Sequence, residues 1–88
     1  MIGGVIEAMT IRKWKFFVET DDDSGYLDPN GVFIKEKNDV ADWLDTDHEA
    51  AEEATRRAVR FETTHNECIT RIFYESQGKV KEANEKIF

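Results

Sequence analysis

Residues 10–20 read TIRKWKFFVET, and the fold turns on what this stretch becomes. Trp14, Phe16 and Val18 alternate with Lys13, Lys15 and Glu19. A period of two marks a strand with one buried face, and aromatic and β-branched residues favour it. Ile11 and Phe17 fall on the polar side of the alternation, so the second face is expected to be partly covered too.

Working outward, DDDSG (21–25) and DPNG (28–31) are turn clusters. Pro29 suits the first central position of a type I turn, and Gly31 the position that closes it. VFIKEK (32–37) reads as a short strand returning antiparallel to the first. Asn38 or Asp39 then caps a helical turn over VADWL (40–44). TDHE (46–49) is a capping box, in which the Thr46 hydroxyl accepts from the Glu49 amide and the Glu49 carboxylate returns the bond.

From there Ala50, Ala51, Ala54, Ala58 and Phe61 keep helical spacing. Acids at the start and arginines at the end suit the helix dipole. Glu52–Arg56 and Glu53–Arg57 are favourable i,i+4 pairs. A helix over about 47–62 follows, which Asn66 or His65 ends. CITRIFYE (68–75) reads as a strand and SQG as a turn. KVKEANEKIF (79–88) reads as a short terminal helix with Val80, Ala83 and Ile87 on one side. Residues 1–9 are read as a flexible lead or an edge strand. The expected fold class is α+β: one domain over 1–88, with an antiparallel sheet of about three strands and the main helix on one face.

A chain of 88 residues has room for one core and buries only about 60–65% of its unfolded surface. Ten aromatic residues supply that core. Cys68 is the single cysteine and closes no internal disulfide, so a reducing compartment is expected. MIGGVIEAM lacks the basic start and long apolar run of a signal peptide. No segment approaches the roughly 18 apolar residues of a membrane span. The expectation is a soluble, cytoplasmic protein.

The motifs that carry chemistry are weak. A calcium loop begun at Asp21 has Gly25 at its fifth position and Phe33 at its twelfth, where ligands are needed. His48, His65 and Cys68 lack the paired spacing of zinc ligands. Cys68 is expected to begin its strand as a small buried hydrophobe rather than to act as a nucleophile. The glycines make no phosphate-cradling pattern. IRKWKFF combines cations with aromatics as single-strand binders do, but its aromatics are needed for the core and the net charge of −7 opposes a polyanion. No catalytic residue, metal or cofactor is expected.

Charge is the strongest signal. Thirteen of the nineteen acids lie between residues 19 and 53, against only Lys35 and Lys37. ETDDDSG (19–25) and NDVADWLDTDHEAAEE (38–53) carry most of them. In this character the chain resembles the small host-takeover proteins of bacteriophages, and among those the DNA mimics, which place carboxylates where DNA places phosphates. Arg56, Arg57, Arg60 and the basic first strand depart from an all-acidic surface, so the resemblance implies one acidic face.

The resemblance further implies a non-enzymatic inhibitor in the host cytoplasm. It would occlude a basic DNA-binding host protein, such as a nucleoid-associated protein or RNA polymerase, without touching nucleic acid or membrane itself. The residues expected to meet that partner are Asp21, Asp22, Asp23, Asp28, Asp39, Asp42, Asp45, Asp47, Glu49, Glu52 and Glu53. Tyr26, Leu27 and Trp43 are the candidate anchors beside the charge. The alternative is an adaptor that engages a chaperone–protease or a division protein through an apolar patch. A homodimer is compatible with either.

Overall fold

A computed structural model describes residues 10–83. Residues 1–9 and 84–88, the latter including the end of the expected terminal helix, lie outside the described residues. The elements run β1 (Arg12–Thr20), β2 (Ser24–Leu27), β3 (Phe33–Ile34), β4 (Trp43–Asp45), α1 (Asp47–His65), β5 (Ile69–Ser76) and β6 (Lys79–Glu82). Among the described residues the architecture is α+β, with one α-helix and a six-stranded antiparallel sheet.

The opening stretch is the centre of that sheet. Phe17 pairs with Tyr26 of β2 on one edge and with Phe73 of β5 on the other. Strand order is β3-β2-β1-β5-β6, and β4 pairs with the first residues of β1, where Trp14 lies opposite Trp43. Trp14, Phe16 and Val18 are buried, as their alternation predicts. They meet Ala50, Ala54, Ala58 and Phe61 of α1, together with Leu27, Ile69 and Ile72. Three alanines on the helix face let its backbone lie close over the larger sheet residues.

Helix α1 begins as expected. The Thr46 hydroxyl accepts from the Glu49 amide at 3.2 Å, while the Thr46 amide donates to Asp45 Oδ1 at 2.8 Å. Asp45 thus takes the place expected of the Glu49 carboxylate, and the capping box is half formed. The helix runs three residues past the expected end and stops at Asn66, in the left-handed region at φ 55°. The DPNG turn closes through Gly31 N donating to Asp28 O at 2.9 Å, with Gly31 at φ 79°.

The sheet has more strands than the sequence suggests, for local reasons. The partner of β1 across the Asp21–Asp23 turn is β2, and the expected strand over 32–37 shrinks to Phe33–Ile34 beyond it. VADWL is not helical: a 3-10 turn covers Lys37–Asp39, and Trp43–Asp45 is a strand. Five residues are too few to separate the two apolar periods, and pairing with β1 decides for the strand. Residues 79–82 form β6 and not the start of a helix. Gln77 at φ 52° and Gly78 at φ 82° make a two-residue turn that reverses the chain onto β5. Cys68 is exposed just before β5, because Ile69 fills the buried position that the cysteine was expected to take.

The most buried charge belongs to α1. Arg57 is 1% exposed and Glu53 is 5% exposed. Arg57 Nε donates to Glu53 Oε2 at 2.9 Å, and Nη1 donates to the Leu27 carbonyl at 2.9 Å. Its guanidinium lies 4.3 Å from the Phe16 ring centroid and 5.0 Å from that of Trp43. Burial pulls the Arg57 pKa below its ordinary value, and the bond to Glu53 opposes that shift. The expected i,i+4 pair is therefore an internal clamp joining helix, β1 and β2.

Candidate functional site

The register of β1 divides the acidic residues. Asp21, Asp22 and Asp23 follow its last residue, Thr20, whereas Asp45 pairs with its first, Arg12. Nine residues of strand at about 3.3 Å each keep Asp21–Asp23 roughly 25 Å from Asp45. The acids expected on one side thus include groups at both ends of β1.

Most of these carboxylates also have partners in the chain. Asp42 pairs with Lys15 at 3.1 Å, and Lys15 Nζ also donates to the Val40 carbonyl. Asp47 pairs with Lys81, Asp23 with Lys35, and Glu52 with His48 and Arg56. Glu53 faces Arg56, Arg57 and Arg60. Asp28 Oδ1 accepts from the Asn30 and Val32 amides, so its carboxylate holds its own loop. Lys15 reaches Asp42, and Lys81 reaches Asp47 from 34 positions away in sequence, which no charge count along the chain reveals. Asp21, Asp22 and Asp39 are exposed and make no ion pair among the described residues.

One groove does gather acids. It has a volume of about 380 Å³ and is lined by Thr20, Asp22, Asp23, Phe33, Phe61, His65 and Glu67. The Thr20 hydroxyl sets the turn on its rim, accepting from the Asp22 amide at 3.3 Å and the Asp23 amide at 3.1 Å. Asp23 accepts from Lys35 and from the Ser24 amide, and these bonds hold its carboxyl below the ordinary aspartate range. Across the groove, His65 stacks on Phe61 at 4.3 Å and Phe33 lies 5.7 Å from Phe61. His65 Nδ1 approaches the Phe61 carbonyl at 3.1 Å, where the helix ends. A helix C-terminus carries partial negative charge and aromatic faces attract cations, so rim, wall and helix end all favour a positive group. Glu67, Phe33 and His65 were not among the expected partner-binding residues, since only the fold sets the end of α1 beside the β1–β2 turn.

The second candidate surface is the side of the sheet away from α1. Tyr26, Phe17 and Phe73 stand side by side across β2, β1 and β5, with Ile34 of β3 next to Tyr26. Phe17 meets Tyr26 edge-on at 5.1 Å and lies 6.0 Å from Phe73. Phe17, Tyr26, Phe73 and Val80 line a shallow hollow with Glu19 and Glu75. Burial, then the charge of Glu75, raises the Tyr26 pKa. The row was partly legible: Phe17 breaks the alternation of the first strand on this side. Of the expected anchors, Tyr26 is in the row, Leu27 is fully buried, and Trp43 is half-buried against Arg57.

His48, Glu49 and Glu52 bring ligand atoms within 4.8 Å of one another on the exposed first turns of α1. His65 and Cys68, whose spacing to His48 argued against a zinc site, are not in this group. No helix among the described residues is long and apolar enough to cross a membrane. No family model, curated protein or solved structure matches the chain.

Proposed function

We propose that the chain is a non-enzymatic binding domain that captures a basic segment of a partner protein at the acidic groove between the β1–β2 turn and the end of α1. The observation that carries this reading is the convergence there of Asp22, Asp23 and Glu67 on walls made by Phe33, Phe61 and His65. A lysine or arginine side chain suits such a place: its charge meets the carboxylates while its stem and cation lie on the rings. The partner class is a basic, nucleic-acid-binding protein, whose phosphate-holding side chains would be occupied and whose DNA binding would be blocked. Asp21 and Asp22, without ion pairs of their own, would steer the approach. Asp39, Asp42, Asp45 and Asp47 lie too far along β1 to join the same contact.

The test is capture of DNA-binding proteins from bacterial lysate on the immobilised domain, at low and at high salt. Binding is expected at low salt, to fall as salt rises, and to drop at least about tenfold for Asp21→Asn/Asp22→Asn. Capture that ignores both salt and this double substitution refutes the groove. The half-buried aromatic row on the side of the sheet away from α1 favours a second reading, an adaptor holding a partner through an apolar patch. Salt-resistant capture lost on Tyr26→Ala supports that instead.

A further inference from the structure

Lysine and arginine carry the same charge, but the groove between the β1–β2 turn and the end of α1 does not offer them the same contacts. A lysine ammonium is a compact, strongly hydrated point charge, whereas an arginine guanidinium is a weakly hydrated plane that stacks on rings and directs its N–H donors outward from its edge. The rim already seats an ammonium. Lys35 Nζ donates to Asp23 Oδ1, and the Ser24 amide donates to the same oxygen at 2.8 Å. An incoming cation is left with Asp22 and Glu67, which are exposed and make no ion pair among the described residues, and with the rings. Those rings form a stack with an open end. Phe61 is buried, and the His65 ring lies over it with 4.3 Å between centroids and 23° between planes. The Phe61 carbonyl can only accept, so the 3.1 Å contact with His65 Nδ1 is a bond from that nitrogen, and it holds the ring in place. His65 itself is exposed, which leaves the ring face turned away from Phe61 open. Half-buried Phe33 continues the wall, 5.7 Å from Phe61.

We propose that the groove selects arginine over lysine: a guanidinium of the partner segment stacks on the open face of His65 while its N–H groups donate to Asp22 and Glu67. The preference rests on the groove being the capture site proposed above, and it names which basic residue enters. Coulomb attraction does not tell the two side chains apart, so the discrimination comes from the ring. The chain uses the same arrangement within itself. The Arg57 guanidinium lies 4.3 Å from the Phe16 ring centroid while its Nε donates to Glu53. A stacked cation at an exposed ring is worth about two- to fivefold in affinity, and that is the preference expected for a single arginine.

The test is titration of the isotope-labelled chain, followed by its amide NMR signals, with two acetylated and amidated peptides of equal charge. One consists of three Arg-Gly repeats and the other of three Lys-Gly repeats. Both are expected to shift the signals of Asp22, Asp23, His65 and Glu67, and the arginine peptide to saturate them at a concentration about two- to fivefold lower. His65→Ala is expected to abolish that difference. His65→Phe, which keeps a flat ring at the same place, is expected to retain it. The same spectra show whether each variant is folded, and the two substitutions are read independently. If both peptides saturate the groove signals at the same concentration, the arginine preference is overturned while the groove stands as a site for any basic segment. A preference that survives His65→Ala overturns the stack on His65. If neither peptide moves these signals, the groove itself falls as the capture site, and the preference falls with it.

Discussion

Replacing Glu53 by alanine removes the carboxylate from a guanidinium that has no route to solvent. Arg57 is 1% exposed and would keep one acceptor, the Leu27 carbonyl, and the rings of Phe16 and Trp43. Breaking a buried ion pair from one side costs about 3–5 kcal/mol, because the remaining charge stays desolvated. At roughly 0.05–0.15 kcal/mol per residue the whole domain holds only about 4–13 kcal/mol. With about 4–8 °C of Tm per kcal/mol for a domain of this size, the midpoint should fall by at least about 12 °C.

Removing the other partner should be milder. After Arg57→Leu, Glu53 still accepts from Arg56 Nε at 3.1 Å and has Arg60 at 3.9 Å, and the Leu27 carbonyl loses its donor at about 1–3 kcal/mol. The double variant Glu53→Leu/Arg57→Leu exchanges both charges for apolar volume and should recover much of the loss of Glu53→Ala. Urea and thermal unfolding followed by circular dichroism and by the fluorescence of Trp14 and Trp43 measure all three. The reasoning fails if Glu53→Ala stays within about 1 kcal/mol of wild type, or if the double variant is no better than Glu53→Ala.

The two tyrosines, Tyr26 and Tyr74, both have pKa values raised mainly by burial, so the fold favours their neutral form. Stability from them is full below the ordinary tyrosine pKa and lost as pH rises through the raised values. Phenolate absorbance should therefore develop at higher pH in the folded chain than in urea, with unfolding following in the same alkaline window. Thr46→Ala removes the acceptor of the Glu49 amide and should lower stability by about 1 kcal/mol in urea titration. Gly31 and Gly78 both have positive φ, but a Cβ on Gly31 would sit 2.8 Å from Arg60 Cβ while one on Gly78 meets nothing within 4 Å. Gly78→Ala should cost about 1–2 kcal/mol for backbone strain alone, and Gly31→Ala clearly more, with the difference measuring the contact against α1.

The legible parts of this chain are those whose signal repeats within a few residues. The buried face of β1, the body and cap of α1, and the DPNG turn each rest on a local period or a local hydrogen bond. The short strands were not legible: VADWL and KVKE fit either period over so few residues, and neighbouring β1 and β5 chose for them. The site shows the same division. The surplus of acid between residues 19 and 53 is a property of the sequence, and so is its attraction for cations. Which acids stay unpaired is not. Lys15 and Lys81 reach Asp42 and Asp47 through the fold, and β1 holds Asp21–Asp23 and Asp45 at opposite ends. Sequence thus determined the sum of the charge and the two main elements, because both are local. Tertiary structure decided which carboxylates face solvent together, because a Coulomb interaction follows distance in space and not along the chain.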